Sequence, residues 1–437
     1  MAPVIFLRGK KHKWHNYKLE VEVSVPMKTK LLLLINPDPR SGGGIRALRF
    51  IKGVKRKYSD IMLLYFIVPS YTKDSILTLH KYGKVVGFIN FQEFKNRLPL
   101  FKKAISTEFI VKGMLDIKKW LNINYALARD AHIIYSQHEV TEYMRILKFL
   151  KENIKKPCGV MLQLPPYYKT KRLRNIEAAK KLFYKAIHGT KGIIYWANDF
   201  RVAQYCYKLN KNFLRKFDFK IAVSRAILEE MSNNIANIHV LDPGVTLDEE
   251  DIRILNSIKQ NVFTKKRIVI FGGRPAPTKG IIEALYAWAK ISKRLSNYKL
   301  IITGHISKKL LTLYKKVCMK LHVYDRVIFT GFVPRNKRFE LVAQARAVLY
   351  PSHEDSFPFS VIESLYLGTP IVAYSIPALK IYYKDFKGIK LVPELQINSL
   401  ANALMDIIEN HEEPEIPVLP SWEEIIDKEI EILTKYI

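Results

Sequence analysis

The stretch 353-HEDSFPFSVIESLYLGTPIVAY-374 opens with a His-Glu-Asp triplet and then becomes largely apolar. Pro358 is typical of the first turn of a helix, and that helix would carry the one further carboxylate, Glu363. A Gly-Thr-Pro turn at 368–370 then leads into a strand-like run. An unpaired charge in so apolar a segment would be costly, so we expect Glu363 to have a ligand or a fixed partner.

The second half of the chain repeats this alternation of short apolar runs and amphipathic segments. The runs are RIVIFGG (267–273), KLIITG (299–304), VIFTGF (327–332), AVLYPS (347–352), PIVAYS (370–375) and IKLV (389–392). Between them, segments such as 279–295 place apolar residues three and four apart, which predicts helices. Strands that alternate with helices predict a parallel sheet covered by helices.

The first half has the same pattern with more insertions. Its strand candidates are 30–36, 61–68, 84–90, 131–136, 158–164, GIIYWA (192–197) and 220–224. Basic helices fall between them, notably 171–189. We therefore predict an α/β chain of two doubly wound domains, at residues 1–240 and 241–420, with the boundary near Pro243-Gly244.

The closing segment, 421–437, is expected to form a capped helix. Ser421 is a candidate N-cap, and Glu424 stands three residues later, as in a capping box. Prolines at 414, 417 and 420 precede it as a stiff connector. The helix is expected either to pack on its own domain or to cross back to the first one.

Length and composition limit the class of protein. With 437 residues, the chain exceeds one ordinary hydrophobic core. Three cysteines, far apart and without metal-ligand spacing, fit a reducing compartment. No run approaches 18 consecutive apolar residues, and the first residues lack the apolar region of a signal peptide. We therefore expect a cytoplasmic protein.

The charge is concentrated in one half of the molecule. The net charge is +32, and residues 1–220 carry 44 lysines and arginines against 15 acidic residues. Residues 221–437 are close to neutral, with 28 basic and 25 acidic residues. A basic field on one side of a protein attracts a polyanion, either nucleic acid or an anionic membrane leaflet.

Four segments of the second half follow strands, where ligands bind in open parallel sheets. The loop 271–280 carries Gly273, Arg274 and Lys279, and two cations beside a helix start suit a diphosphate. The turn 330–337 offers an apolar wall suited to a flat base, formed by Phe332 and Val333.

The other two segments carry a histidine and the carboxylates. His305 follows a strand-end glycine, a position where a histidine is more often structural. Asp355 and Glu363 flank the apolar stretch SFPFSVI, and carboxylates accept hydrogen bonds from vicinal sugar hydroxyls. Taken singly, each segment also has an ordinary explanation: a solvated loop, a tight turn, a helix cap or a structural histidine.

In this order and spacing, the four segments resemble the donor-binding domain of retaining glycosyltransferases of family 4 (glycosyl transferases group 1). The resemblance implies the GT-B fold, in which two Rossmann-like domains face each other across a cleft. The E-x7-E element of that family matches Asp355 and Glu363, with Asp in the first position. Glu354 is the alternative for that first position.

The resemblance implies roles for these side chains. Glu363 would hold the ribose hydroxyls of a nucleotide-diphosphate sugar, and Asp355 or Glu354 its sugar hydroxyls. Arg274 and Lys279 would neutralise the diphosphate as the glycosidic bond breaks. The remaining donor-binding residues would be Gly273, His305, Phe332, Val333, Ser356 and Phe357. We expect no metal and no other cofactor, because two cations and helix N-termini already face the phosphates.

The first half carries matching elements for the acceptor. Residues 35–51, with Gly42, Gly43 and Gly44, resemble the early glycine loop of the family, which approaches the donor phosphates or the acceptor. The family usually has a histidine in the cleft at the end of a first-domain strand. The matching position holds Gln163, and His138 is a nearby alternative. The closing helix resembles the C-terminal helix that crosses back in that family.

A lipid-phosphate acceptor in an anionic leaflet would explain the basic first domain. It would also explain the aromatic-basic stretches 100–105, 117–121 and 165–175. We therefore expect a retaining hexosyltransferase that is peripheral on the inner face of the membrane and acts on a glycan or polyprenyl-phosphate-linked acceptor. A lysine-rich surface typical of a thermophilic or A+T-rich genome is the alternative, and the neutral second domain argues against it.

Two other functions compete with this interpretation. A sugar phosphorylase or a nucleotide-sugar epimerase of the same fold would share the diphosphate site without needing a basic membrane face. A nucleic-acid-binding protein would explain the charge. The sequence disfavours it, because it has no aromatic RNP-type strand, no zinc finger and no evident recognition helix.

Overall fold

The computed structural model describes residues 28–39, 41–70, 77–90, 117, 121–231, 235–261, 264–410 and 412–437. The first 27 residues, the aromatic-basic stretch 100–105 and residues 118–120 of the next such stretch lie outside the described residues. None of the helices in the described part combines the length and hydropathy that a bilayer-spanning segment needs.

The first domain is built on an eight-stranded sheet. Its strands are β1 (Thr29–Leu34), β2 (Met62–Pro69), β3 (Lys84–Ile89), β4 (Leu121–Ile123), β5 (Ile133–Ser136), β6 (Cys158–Leu162), β7 (Phe219–Ala222) and β8 (Ile238–Val240). The spatial order is β4-β3-β2-β1-β5-β6-β7-β8, and only the β3–β4 pair is antiparallel among the described strands. The order reverses between β1 and β5, which makes the carboxyl ends of these two strands the switch point of the sheet.

Six helices accompany this sheet in the described residues. They are α1 (Gly42–Tyr58), α2 (Tyr125–Arg129), α3 (Thr141–Ile154), α4 (Thr170–His188), α5 (Gly192–Leu214) and α6 (Arg225–Glu230). The glycine loop, residues 42–44, forms the start of α1 directly after β1, where Ser41 caps the helix by accepting the N–H of Gly44. The loop therefore lies at the switch point.

The second domain has a six-stranded parallel sheet. Its strands are β9 (Ile268–Phe271), β10 (Lys299–Thr303), β11 (Val327–Gly331), β12 (Ala347–Tyr350), β13 (Ile371–Tyr374) and β14 (Ile389–Val392). The order β11-β10-β9-β12-β13-β14 places its switch point between β9 and β12. The two doubly wound sheets that the sequence predicts are thus confirmed.

The remaining helices belong to the second half of the chain. They are α7 (Glu249–Asn261), α8 (Ile281–Ile291), α9 (Lys308–Lys320), α10 (Arg335–Gln344), α11 (Phe359–Tyr366), α12 (Pro377–Tyr383), α13 (Ile397–Glu409) and α14 (Trp422–Thr434). The donor loop, residues 272–280, follows β9, and the segment 351–358 follows β12. Both segments therefore lie at the switch point of this sheet.

One strand predicted from the sequence is wrong. The run 192–197 forms the first turns of α5, after a short 3-10 turn at Gly189–Lys191 that joins α4 to α5. A short apolar run that begins with a glycine has no periodicity that separates a strand from a helix. Here the adjoining residues continue the helix for six turns, and the run never enters a sheet.

The closing helix α14 packs on α1 of the first domain. Its capping box is present as predicted, since Ser421 and Glu424 satisfy each other's backbone N–H groups. Glu429 is buried and accepts hydrogen bonds from Arg46 Nη2 at 2.6 Å and from the Tyr135 hydroxyl at 2.8 Å. Arg46 also donates to the Gly244 carbonyl at 3.1 Å, next to the domain boundary. The Arg46 cluster therefore joins the first domain, the boundary and the C-terminal helix.

We expect Glu429→Ala to destabilise the protein by about 3–5 kcal/mol, because it leaves the Arg46 charge buried and without its carboxylate. Both side chains of this pair are only 1% exposed. The control is Glu431→Ala on the same helix, whose carboxylate is exposed and pairs with Lys435. Thermal unfolding should give a much lower midpoint for the first variant and an unchanged one for the second. Equal midpoints would show that the Arg46 pair does not hold the helix.

Candidate functional site

The segments at the two switch points meet between the domains. The Ser356 hydroxyl donates to the carbonyl oxygen of Gln163, and its own carbonyl accepts from the Ser224 hydroxyl at 2.9 Å. A Cβ atom on Gly42 would lie 3.7 Å from the ring of Phe359. We call this contact region, residues 351–363 against 163–172 and the glycine loop, the interdomain seam.

Asp355 lies on the second-domain side of the seam and is held by three donors. Its Oδ2 accepts from Lys279 Nζ at 2.8 Å and from the Tyr350 hydroxyl, and its Oδ1 accepts from the backbone N–H of Ser356 at 3.0 Å. Burial raises the pKa of Tyr350 well above its usual value, so its hydroxyl remains a donor. Lys279 also donates to the Glu354 carbonyl. The cation and the carboxylate predicted for the donor site are therefore in direct contact.

Arg274 differs from Lys279. Its side chain is exposed, and within the described residues its guanidinium has no hydrogen bond or ion pair. The donor loop that carries Arg274 is held by a hydrogen bond, which the Tyr314 hydroxyl donates to the Pro275 carbonyl at 2.9 Å. A Cβ atom on Gly273 would lie 3.3 Å from Lys279 Cβ, so glycine lets the two ends of the loop approach each other. The loop thus presents one paired and one unpaired cation.

Glu363 has fixed partners, which are two arginines that the sequence did not single out. It is 2% exposed, and its Oε1 accepts from Arg335 Nη2 at 2.8 Å while Oε2 accepts from Arg338 Nη2. Arg335 also contacts Asp251 at 3.1 Å. The two arginines are three residues apart at the start of α10, so they lie on one helix face. This spacing is the feature of the sequence from which a pair of arginines on one helix face could be predicted.

Glu354 faces the opposite way from Asp355. Its carboxylate accepts from the hydroxyl of Tyr168, which belongs to the first domain. Burial raises the pKa of Tyr168 well above its usual value and keeps the hydroxyl protonated. Both acidic residues of this pair therefore lie in the seam, Asp355 bonded within its own domain and Glu354 bonded across to the other.

His353, the first residue of the opening triplet, is completely buried. Its Nε2 lies 2.9 Å from Glu283 Oε1, and its Nδ1 lies 3.0 Å from Glu394 Oε2. Burial lowers the pKa of His353, but the hydrogen bonds and charges of the two glutamates outweigh it and raise the pKa overall. His353 therefore bonds two glutamates of the second domain directly behind the interdomain seam.

Arg172 is a correction to one residue of the aromatic-basic stretch 165–175, because its side chain is not free to meet a membrane surface. Its guanidinium is buried, donates to the His353 carbonyl at 2.6 Å and pairs with Glu394. A further nitrogen–oxygen distance of 3.4 Å joins it to Glu230. The stretch belongs to the seam at this residue, because a buried arginine needs several oxygen partners that the second domain supplies.

On the first-domain side, Gln163 contacts the glycine loop. Its Nε2 donates to the carbonyls of Gln137 at 2.6 Å and Gly43 at 3.3 Å. A Cβ atom on Gly43 would lie 2.8 Å from Gln163 Oε1, so no larger residue fits there without movement. Gly44 is closed in as well, since its Cβ position lies 2.0 Å from the Asp38 carbonyl oxygen. Gln163 thus links the glycine loop to Ser356.

His138 lies at the other side of the same loop. Its Nε2 accepts the backbone N–H of Asn36 at 2.9 Å, and its ring packs against Tyr143 at 5.1 Å. Burial lowers the pKa of His138 to about 4, so the ring is neutral. The neighbouring Glu139 was not predicted from the sequence. Its carboxylate accepts the N–H of Gln163 at 3.1 Å, and burial raises its pKa to about 7.

The other predicted donor-site residues follow β10, β11 and β12. His305 is exposed just after Gly304, whose Cβ position lies 3.0 Å from Pro275 of the donor loop. Phe332 is 59% exposed beyond the end of β11, and Val333 follows it. Phe357 is buried, with its ring 4.8 Å from that of Tyr382, so it packs in the core.

Part of the chain matches a known protein family. Residues 253–417 match the family model described as glycosyl transferases group 1. The second domain belongs to the glycosyl transferases group 1 family. That span contains the donor loop, the arginines of α10 and the whole stretch 353–374.

Curated relatives match over part of the chain. An uncharacterized glycosyltransferase of Methanocaldococcus jannaschii is 29% identical over 185 residues, which are 40% of this chain and 47% of that protein. The D-inositol 3-phosphate glycosyltransferase of Mycolicibacterium smegmatis is 30% identical over 183 residues, 40% of each chain. The alpha-monoglucosyldiacylglycerol synthase of Streptococcus pneumoniae is 24% identical over 40% of this chain and 42% of that protein. The chain thus spans less than half the length of these relatives.

Solved structures match over nearly the whole chain. The Anabaena protein HepE in complex with UDP and glucose superposes with a TM-score of 0.59, at 16% identity, over 93% of this chain and 100% of that one. Sucrose-phosphate synthase from Thermosynechococcus elongatus gives the same TM-score at 14% identity, over 94% and 95%. The GT-B fold expected from the sequence is therefore confirmed.

The stability of the folded protein should fall as the pH rises, because buried carboxyl groups at and near the seam lose protons. Burial raises the pKa of Glu230 to about 8 and that of Glu139 to about 7, whereas the lowered pKa of His138 has the opposite effect only below about pH 6.5. Between about pH 6.5 and 8 these groups therefore bind more protons in the folded protein than in the unfolded chain. The raised pKa of His353 acts in the same direction. We expect the thermal midpoint to fall as the pH rises across this window.

Glu230→Gln should flatten this pH dependence, because glutamine imitates the protonated carboxyl group. One titrating proton accounts for up to about 1.4 kcal/mol of unfolding free energy per pH unit. The matched control is Glu229→Gln, which removes a charge from the exposed neighbour on α6. Thermal melts at several pH values should show the wild-type slope in the control alone. An unchanged slope in Glu230→Gln would refute the proton uptake.

Proposed function

We propose that the protein is a glycosyltransferase that moves a sugar from a nucleotide-diphosphate sugar to an acceptor hydroxyl with retention of configuration. The observation that carries the proposal is the contrast between Arg274 and its neighbours. Lys279, Arg335 and Arg338 each pair with a carboxylate, whereas Arg274 is exposed and unpaired among the described residues. An unpaired arginine on a held loop beside a helix start suits a phosphate group.

The diphosphate would bind between Arg274 and Lys279. In the structure Lys279 donates to Asp355, so the phosphate would compete with that carboxylate for the lysine. As Lys279 turns to the phosphate, Asp355 becomes free to accept hydrogen bonds from the sugar hydroxyls. The movement of Lys279 from Asp355 to the phosphate would thus prepare both the diphosphate site and the sugar site. Glu354 could serve the sugar in the same way after releasing the Tyr168 hydroxyl.

The ribose and the base of the donor would lie beside Glu363 and the end of β11. Both oxygens of Glu363 hold arginines, so the ribose hydroxyls would replace Arg335 or Arg338. These arginines have side chains that are 29% and 28% exposed, so either can turn towards solvent. Phe332 and Val333 offer an exposed apolar surface beside them on which a flat base could rest.

The chemistry follows from the position of the cations. Negative charge develops on the leaving diphosphate as the glycosidic bond breaks, and Arg274 and Lys279 would stabilise that charge in the transition state. The anomeric carbon would become oxocarbenium-like, and the acceptor hydroxyl would attack from the face of the leaving group. The acceptor would enter from the first domain, past Gln163 and the glycine loop. We propose that no metal takes part, because the two cations supply the neutralisation.

The acceptor is proposed to be lipid-linked or membrane-associated. The excess of positive charge in residues 1–220 supports an anionic surface as its location. Among the relatives, the Streptococcus pneumoniae protein is named as a synthase of a glucosylated diacylglycerol, and the Anabaena structure holds UDP and glucose. These names support a nucleotide-sugar donor and a lipid-type acceptor here. The protein would act at the inner face of the membrane without spanning it.

We expect Arg274→Ala and Lys279→Ala each to lower turnover by roughly tenfold or more, through loss of charge stabilisation at the leaving group. The double variant should lose less than the sum of the two effects in free energy, because both residues act on one diphosphate. The measurement is turnover against a panel of nucleotide sugars, with and without chelator. Lys316→Ala, an exposed lysine of the same domain, is the control.

Two results would contradict the proposal. One is full activity in both Arg274→Ala and Lys279→Ala. The other is activity that depends strictly on a divalent ion, since the cations of the donor loop would then not be sufficient. A sugar phosphorylase would be recognised in the same assay, because it would require inorganic phosphate in place of a nucleotide sugar.

A further inference from the structure

The junction between α4 and α5 exposes three consecutive apolar residues. Ile193, Ile194 and Tyr195 are 45%, 69% and 52% exposed, and we call them the hairpin tip. Nothing in the fold requires them to be apolar, since they lie on the first turn of a helix at the surface. Clustered exposed apolar side chains of this kind mark an interaction surface rather than chance exposure.

Aromatic stacking fixes the hairpin tip in place. The ring of Tyr195 stacks on His188 at 4.4 Å, and Tyr184 lies parallel to Tyr195 at 6.5 Å. Beside them, the Trp196 ring packs on Phe200 at 5.6 Å and lies under Lys181 Nζ at 5.2 Å. The tip is therefore an ordered aromatic and aliphatic surface, and little conformational entropy would be lost when it binds.

The charge around the hairpin tip is of one sign. Residues 178–198 contain four lysines, at 180, 181, 185 and 191, and no acidic residue. The nearest carboxylates, Glu177 and Asp199, are both paired with Lys180, at 3.1 and 3.2 Å. The second domain adds Lys309, whose charge acts on His188 and supplements burial in lowering its pKa. The tip is thus an apolar patch with a cationic rim.

We propose that the hairpin tip docks on an anionic bilayer, with Ile193, Ile194 and Tyr195 in the interfacial region and Lys181, Lys185 and Lys191 on the lipid headgroups. Aliphatic residues with aromatic rings and a lysine rim are the composition of surfaces that bind in the membrane interface. A protein partner is less suited, because a stable protein interface needs roughly 600–1,000 Å² on each side, far more than three side chains provide.

Packed side chains connect the helix that leads to the hairpin tip with the donor loop. Phe183 of α4 contacts Tyr314 of α9 edge to face at 6.2 Å, and the Tyr314 hydroxyl bonds to Pro275 in the donor loop. The tip and Arg274 are therefore connected by packed side chains. The catalytic benefit of docking rests on the proposed function. Binding of the hairpin tip to a membrane does not depend on any reaction.

The test is co-sedimentation of the full chain with vesicles of equal parts phosphatidylglycerol and phosphatidylcholine, and with phosphatidylcholine alone. We expect binding to the anionic vesicles that weakens with salt. Ile193→Asn combined with Ile194→Asn should lower the partition coefficient by roughly tenfold or more, because two aliphatic side chains no longer enter the interface. Lys185→Gln combined with Lys191→Gln should lower it by up to roughly fivefold for each lysine.

Matched controls separate the tip from general surface effects. Ile416→Asn with Val418→Asn removes two exposed aliphatic residues from the linker before α14. Lys52→Gln with Lys55→Gln removes the same charge from exposed positions of α1. Both control pairs should bind vesicles much as the wild type does. Circular dichroism should show that all variants are folded, since every changed side chain is exposed.

Three outcomes would overturn the docking proposal. They are wild-type binding that is absent or indifferent to anionic lipid, tip variants that bind as tightly as the wild type, and a wild type that self-associates through the tip instead. Donor hydrolysis is measured separately in solution. A wild type that hydrolyses nucleotide sugars but does not bind anionic vesicles would overturn this inference alone. A wild type that binds the vesicles but reacts with no nucleotide sugar would overturn the proposed function alone.

Discussion

The architecture depends on the pairing of charges that the two domains bury between them. A charge taken out of water costs several kcal/mol unless an opposite charge and further hydrogen bonds compensate it. Arg46 meets this requirement with Glu429, and Arg172 meets it with Glu394 and the His353 carbonyl. In both cases the partners come from distant parts of the chain. The pairs therefore fix how the C-terminal helix and the second domain sit on the first.

The same constraint shapes the candidate donor site. The carboxylates suited to binding a sugar and a ribose, Asp355 and Glu363, are already held by Lys279 and by two arginines of α10. A bound donor would exchange partners with these groups instead of meeting bare charges. Such an exchange keeps each buried charge compensated before and after binding. Arg274 is the exception among these cations, since its guanidinium has no partner among the described residues, and it would give an incoming phosphate its first contact.

Much of this could be predicted from the sequence, because it depends on local pattern. The apolar runs gave the strands on both sides of each switch point, and Ser421 with Glu424 gave the capping box. What could not be predicted depends on tertiary contacts. The partners of Glu363 are 25 and 28 residues away, and those of Arg172 lie 58 to 222 residues away. The prediction of a strand at 192–197 is wrong because so short an apolar run has no periodicity that separates a strand from a helix.

We propose that Arg274, which is unpaired among the described residues, makes this cleft a diphosphate site. The most direct measurement is isothermal titration calorimetry of a nucleoside diphosphate and the matching monophosphate, using the nucleotide that gives the largest thermal shift. We expect the wild type to bind the diphosphate about tenfold more tightly than the monophosphate or better, a difference of about 1.4 kcal/mol, and Arg274→Ala to lose most of this preference. Equal affinities in the wild type, or an undiminished preference in Arg274→Ala, would contradict it.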